Sequence, residues 1–273
     1  MIIQHNMTAY NTNRQLGITN GNLAKSSEKL SSGYAVNRAG DNAAGLSISE
    51  KMRGQIRGLE QASTNAQDGI SLIQTAEGAL NEIHAILQRQ RELAVQAAND
   101  TNVEADRTAI KSELDQLSAE ITRIATQTEF NTMHLLDATG GNGGAFNFQV
   151  GANEAQNISV TINAMDAATL DVADINVESY EDATQSITTV NAALELVSAQ
   201  RSDLGAVQNR LEHTIANADN TAENLQAAES RIRDIDMAEE MVKYSKDTIL
   251  QQAAQSMLAQ ANQANQGVLS LLQ

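Results

Sequence analysis

A chain of 273 residues with a formal net charge of −16 is too acidic to suit nucleic acid or an anionic membrane, both of which demand a basic footprint. With no cysteine it offers no disulfide, thiol nucleophile or thiolate metal site. Pro and Trp are absent and only Phe 3 and Tyr 4 supply rings, so long unbroken helices in thin layers suit the composition better than a thick core.

The N-terminus, Met1-Ile2-Ile3-Gln4-His5-Asn6, lacks the basic region, apolar run and small-residue cleavage site of a signal peptide. No stretch approaches the roughly 20 apolar residues of a membrane span. Taken alone, this reads as cytoplasmic, or as export by a route that leaves no cleaved signal. Ile2, Ala9, Leu16, Leu23 and Leu30 then recur at every seventh position, with mostly Asn, Thr and Ser facing them. One thin stripe cannot hold a helix together in water, so this segment needs a partner. It ends near Gly33, and the turn-rich run Arg38 to Gly45 connects it onward.

A second helix is expected from about Leu46 to Asn99. Its later half carries Ile73, Ala76, Leu80, Ile83, Leu87, Gln90, Ala94 and Ala97 at spacings of three and four, the pattern of a coiled-coil seam. Asn99-Asp100-Thr101-Asn102 supplies a stop and a capping cluster. A third helix follows from about Val103 to Gln127, with Ile110, Leu114, Leu117, Ile121 and Ile124 on one side.

The centre changes character. Gly140, Gly141, Gly143 and Gly144 read as a flexible approach to Phe146-x-Phe148-x-Val150, and Ile158-x-Val160-x-Ile162 follows a polar loop. Alternation on both sides predicts a β-hairpin, which must lie against helices because two strands are marginal alone. Between Arg123 and Arg201 there is no Lys or Arg, while ten acids are present, the mark of a solvated face. Helix is expected again from about Thr184. Val190, Leu194, Val197, Leu204, Leu211, Ile215, Ala218, Ala222, Leu225 and Ile232 keep the four-three rhythm, interrupted by Arg201, Gln208 and Glu229, and Leu250, Ala254, Met257, Ala261, Ala264, Val268 and Leu271 repeat it. The expected fold is mainly α: a long antiparallel helical bundle or coiled-coil rod with a small β-hairpin near the centre of the sequence.

Nothing in this pattern builds an enzyme, and no cofactor is expected. His5, His84, His134 and His213 are scattered without metal-ligand spacing, and no His-Glu-x-x-His run exists. The glycine run lacks the Lys-Ser/Thr of a phosphate loop, and no apolar-flanked pair of acids suggests acid–base work.

Several longer runs resemble one family. Leu30-Ser31-Ser32-Gly33-Tyr34-Ala35-Val36-Asn37-Arg38-Ala39-Gly40-Asp41-Asn42-Ala43-Ala44-Gly45-Leu46 and Leu87-Gln88-Arg89-Gln90-Arg91-Glu92-Leu93-Ala94-Val95-Gln96-Ala97-Ala98-Asn99 are similar to N-terminal signatures of bacterial flagellins. Ser230-Arg231-Ile232-Arg233-Asp234, Ile249-Leu250-Gln251-Gln252-Ala253 and Leu258-Ala259-Gln260-Ala261-Asn262 resemble the C-terminal one. The resemblance covers roughly residues 1–138 and 185–273. It departs from the larger members in leaving only about 45 residues between the two halves, so it resembles a minimal flagellin without the variable outer domains.

That resemblance implies a structural filament subunit for motility, secreted to the extracellular flagellum and exported unfolded through the flagellar secretion channel. Residues 1–45 with 234–273 would form a terminal coiled-coil domain at the filament core, and 46–233 a rod domain carrying the hairpin region 140–165. Polymerisation would run through Ile2, Ala9, Leu16, Leu23, Leu30, Leu250, Ala254, Met257, Ala261, Val268 and Leu271. The partners implied are the chain itself, an export chaperone, the hook-associated junction and cap proteins, and the flagellin-sensing Toll-like receptor, with no nucleic acid and no membrane insertion. Met257, Leu258, Leu269 and Leu272, with Val268 and Leu271, would meet the chaperone. Arg89, Leu93 and Glu113 match the family's receptor contact by motif, and a contact between stacked subunits is the plainer role for them. A hook–filament junction protein is the alternative within the superfamily, and a soluble host-receptor ligand the alternative outside it.

Overall fold

The computed structural model describes the backbone of residues 6–270 and the side chains of residues 6–263. Five helices run through the described residues: α1 (Met7–Ser32), α2 (Ala43–Ala97), α3 (Glu104–Gln127), α4 (Tyr180–Arg233) and α5 (Met237–Ser270). Two small antiparallel pairs lie between α3 and α4: β1 (Glu129–Phe130) with β2 (Met133–His134), and β3 (Ala145–Gln149) with β4 (Asn157–Thr161). The expected mainly α fold with a central hairpin is what forms. The chain divides into two compact units, one of residues 1–54 with 224–273 and one of residues 55–223.

Each helix begins and ends for a local reason. Asn6 accepts from the Ala9 amide at 3.0 Å to cap α1, and Gly33 closes it in the left-handed conformation (φ 77°), where glycine carries no steric penalty. The Asn42 carboxamide accepts from Gly45 to open α2. α3 departs from expectation: Val103 stands at the N-cap, and the Asp106 carboxylate reaches back to its amide at 3.3 Å. α4 begins four residues before Thr184, because the Ser179 hydroxyl accepts from the Asp182 amide and donates to its carboxylate. Asp236 caps α5 by accepting from Ala238 and Glu239.

The unit of residues 55–223 holds the hydrophobic core. Ile73, Ala76, Leu80, Ile83, Leu87, Gln90, Ala94 and Ala97 are all fully buried, so the seam predicted on α2 is the seam that forms. It packs with Ile110, Leu114 and Ile121 of α3 and Val190, Val197, Leu204 and Leu211 of α4. The buried Gln90 is satisfied on one side only: its Nε2 donates to Ser118 Oγ at 2.9 Å, Ser118 Oγ donates to the Val172 carbonyl at 2.7 Å, and Gln90 Oε1 has no partner. That chain fastens α2, α3 and the segment before α4 together.

The β3–β4 hairpin lies on the helices, as its marginal stability requires. Phe146 pairs with Val160 and Phe148 with Ile158. The Phe148 ring sits where a Cβ on Gly69 would be 3.1 Å away, and Asn65 donates to the Gln149 carbonyl, so this face rests on α2. Gln200 of α4 donates to the Thr161 carbonyl and accepts from Asn163, holding the hairpin's other end.

Two central features differ from the sequence reading. The glycine run is a tight turn rather than a flexible approach. Gly144 donates to the Gly140 carbonyl, Asn142 to the Ala145 carbonyl, and a Cβ on Gly140 would collide with the His134 carbonyl. The acid-rich segment is not wholly a solvated face either: Ile162, Met165, Leu170, Val172, Ile175 and Val177 are buried along it while Asp171, Asp174 and Glu178 point outward. No spacing marks this strap, because its turns are aperiodic.

Candidate assembly surface

The terminal unit is built from α1 and α5, which pack on each other, with the ends of α2 and α4. On α1 the seam residues fall on two heptad positions: the partly covered Ala9, Leu16, Leu23 and Leu30 on one, and Thr12 with the buried Thr19 and Ser26 on the other. On α5 the same rhythm is carried by Tyr244, Gln251 and Leu258 and by Asp247, Ala254 and Ala261. Two bonds fix the register. Asn6 Nδ2 donates to the Ala261 carbonyl at 3.0 Å, and Gln251 Nε2 donates to Asn20 Oδ1 at 2.8 Å. More than half of the seam is therefore polar or alanine, which buries little apolar area.

What this unit lacks decides its character. Among the described residues, Val36 is its one buried hydrophobic residue; every other member of the buried apolar set belongs to residues 55–223. The exposed large hydrophobics show the reverse distribution. Met7, Tyr10, Ile18, Tyr34, Ile48, Met237, Met241, Val242, Ile249, Leu250 and Met257 all lie in the terminal unit, against five in the other. On α5 they form stripes of their own, Val242 with Ile249 and Leu250 with Met257, each pair seven residues apart.

The structure thus separates the residues assigned to polymerisation. Ala9, Leu16, Leu23, Leu30, Ala254 and Ala261 lie partly covered in the α1–α5 seam. Leu250 and Met257 do not: they are 45% and 55% exposed, and Gln251 and Leu258 occupy the seam positions instead. The seam on α5 is displaced by one residue from the apolar rhythm, which leaves the larger side chains outward. Ile2, Leu271 and Leu272 lie outside the described residues, as do the side chains of Val268 and Leu269. Met241, Val242 and Ile249 were not in the predicted set, although the seven-residue interval between Val242 and Ile249 was a usable signal.

The two connections at the base of the terminal helices are stitched together. Tyr34 bridges Asp234, Ala35 donates to the Arg233 carbonyl at 2.7 Å and Ile235 to the Gly33 carbonyl. The Arg233 guanidinium, 15% exposed, pairs with Glu50 at 3.0 Å, approaches Glu229 at 3.8 Å and lies 4.6 Å from the centre of the Tyr34 ring. In the preceding turn the Asp41 carboxylate accepts from the Arg38 and Asn37 amides. The Arg38 amide is the main cause of an Asp41 pKa below the ordinary range; slight burial opposes it, and the Asn37 amide and the charges of Lys29 and Lys25 add to it.

The remaining trio lies on the other unit. Arg89 Nη2 and Nε reach Glu113 Oε1 at 2.9 and 3.1 Å, and Nη1 reaches Glu92, forming an exposed clasp between α2 and α3. The bond to Glu113, then that to Glu92, raises the Arg89 pKa further above its usual value. Leu93 is 2% exposed and belongs to the core, so in the free chain Arg89 and Glu113 face the surface and Leu93 does not. Among the described residues no cluster of three metal-ligating side chains occurs, and no helix is long and apolar enough to cross a membrane.

Comparison with known proteins gives concordant matches. The model of the bacterial flagellin N-terminal helical region matches residues 3–140, and that of the C-terminal helical region matches residues 187–272. The chain is 56% identical to a flagellin of Halalkalibacterium halodurans over 274 residues and 52% identical to a flagellin of Bacillus subtilis over 303, in both cases across 100% of each chain. It is 52% identical, at the same coverage, to a flagellar filament 33 kDa core protein of Treponema phagedenis. Among solved structures, a Bacillus cereus flagellin at 34% identity superposes with a TM-score of 0.50, covering 61% of this chain and 94% of that one. A putative flagellar hook-associated protein of Vibrio parahaemolyticus (10% identity, TM-score 0.58, 71% and 98% covered) shares the fold alone.

Proposed function

The chain belongs to the bacterial flagellin family, and from that premise we propose that its terminal unit is the surface through which subunits join. It is a structural subunit of the extracellular flagellar filament, not an enzyme, and it polymerises with itself. The observation that carries the finer reading is the inverted distribution of apolar side chains: among the described residues, a unit with one buried hydrophobic residue displays eleven large exposed ones. Head-to-tail contacts that do not close produce a helical polymer, and neighbours laid along α1 and α5 would cover those stripes. Because the seam alone buries so little, ordering of α1 and α5 is coupled to assembly, and subunit binding supplies the free energy.

The same face suits an export chaperone and the hook-associated proteins, while the receptor contact falls on the other unit. Before assembly Met257 and Leu258 offer an export chaperone apolar positions on α5, with Leu269 and Leu272, outside the described side chains, as the other expected contacts, and hook-associated junction and cap proteins would meet the same ends. Arg89 and Glu113 present charge for a neighbouring rod or for the flagellin-sensing Toll-like receptor; Leu93 supports them from beneath. Monomer seeded with filament fragments is expected to elongate them, and a chain lacking residues 250–273 is expected to keep the helical signal of residues 55–223 while failing to elongate. Elongation by the truncated chain would remove α5 from the assembly surface. Arg89→Asp should weaken receptor activation by monomer, and an unchanged dose response would take the clasp out of that contact.

A further inference from the structure

We propose that Asn142-Gly143, at the tip of the turn before β3, is a site of spontaneous asparagine deamidation. The chain contains two Asn-Gly dipeptides, Asn20-Gly21 and Asn142-Gly143. They stand in opposite environments. Asn20-Gly21 lies inside α1, where the helical ladder engages the Gly21 amide, and the Asn20 carboxamide accepts from Gln251 at 2.8 Å. Asn142 and Gly143 are both exposed, the Gly143 amide has no acceptor among the described residues, and a Cβ built on Gly143 meets nothing within 4 Å. Gly143 sits at φ +68°, a conformation open to glycine. The reacting nitrogen is therefore unengaged and unshielded, while the flanking bonds from Gly144 to Gly140 and from Asn142 to Ala145 hold the tip in place.

The chemistry needs only water. The Gly143 amide nitrogen gives up its proton to solvent and attacks Asn142 Cγ. The Cγ–Nδ2 bond breaks, and the nitrogen leaves as ammonia after taking a proton. The resulting five-membered imide then adds one water at either carbonyl and opens, to aspartate or to its isomer with the main chain routed through the side chain. No oxidant is involved, and the net change is amide plus water to acid plus ammonia. Each event adds one negative charge to a stretch that has no Lys or Arg between Arg123 and Arg201. The isomer also lengthens the backbone beside the Asn142–Ala145 bond, loosening the turn that leads into the hairpin. A filament subunit outside the cell would accumulate this mark with age.

The test incubates the full folded chain at mildly alkaline pH, samples it over days and maps peptides by mass spectrometry, beside a free peptide spanning residues 136–148. Conversion at Asn142 in the folded chain is expected within about threefold of the peptide, because no opening step has to precede it. A Gly143→Ala chain, with its helical signal retained, should convert Asn142 at least about tenfold more slowly, since a side chain now crowds the nucleophile and resists positive φ. Conversion tenfold slower than in the peptide would show that the turn protects the site, and an unaltered rate in Gly143→Ala would exclude the Gly143 amide as nucleophile. Either result overturns the proposal.

Discussion

Replacing Ile249 by alanine separates the cost of assembly from the cost of folding. Ile249 is 66% exposed in the single chain, so a neighbour that covers it takes about two-thirds of its surface out of water on joining. The substitution removes three carbons, worth roughly 0.8 kcal/mol each when fully buried. Two-thirds of that total is about 1.6 kcal/mol per subunit added, before any cavity left in the interface. Since about 1.4 kcal/mol is a factor of ten, the critical concentration for elongation should rise roughly ten- to twentyfold. The remaining third, about 0.8 kcal/mol, belongs to the α1–α5 seam that also forms on assembly and is partly offset by alanine's better helix propensity, so the melt of the free subunit, which reports residues 55–223, should hardly change. The assay is residual monomer at steady state above seeded filaments, alongside thermal melting of monomer. A critical concentration equal to that of the parent chain would place Ile249 on the filament's solvent side and refute the assignment of the Val242–Ile249 stripe.

Three further outcomes follow from particular contacts. Ser118→Ala strips Gln90 Nε2 and the Val172 carbonyl of a buried partner, costing about 2–4 kcal/mol and lowering the melting temperature of residues 55–223, with polymerisation otherwise intact; an unchanged melt would mean that water replaces the hydroxyl. Arg233→Ala removes a mostly covered guanidinium from Glu50 and the Tyr34 ring, a loss of about 1–3 kcal/mol that should appear as faster proteolysis within residues 33–42 and slower elongation. Asp41 has a depressed pKa, so its contribution to stability is present above its unfolded value of about 3.9 and is lost as pH falls through the lower folded value. A carboxyl titration by NMR should put its midpoint below that of an unfolded peptide, and Asp41→Asn should flatten the acid response of the connection.

Much of the helical architecture was legible because helices write their packing into spacing. The three-four rhythm on α2 named its buried face residue by residue, Gln90 included, and the alternation around Phe146 and Val160 named the hairpin. The β1–β2 pair was not legible. Its strands have two residues each, and its turn uses Asn131 and Thr132 at positive φ where Asn-Gly would have announced it. The strap from Ile162 to Val177 was missed because its buried residues follow irregular turns with no period to detect. The unit boundaries fall inside α2 and α4, where the helices run on without a break. For the candidate surface, apolar rhythm put Leu250 and Met257 on α5's inner face, yet α1 meets the Gln251 and Leu258 positions. Pattern reports where apolar residues gather, not which neighbour covers them, and here the covering neighbour would be another subunit.

The central question is whether the terminal helices are held by assembly. Hydrogen exchange read by mass spectrometry on free subunit and filament, at matched pH and temperature, measures this directly. The expected result is rapid exchange in the free subunit across residues 7–32 and 237–263, slow exchange there in the filament, and strong protection of residues 72–97 in both states. Equal protection of the terminal helices in the free subunit would contradict the account, because the seam between α1 and α5 would then hold without neighbours.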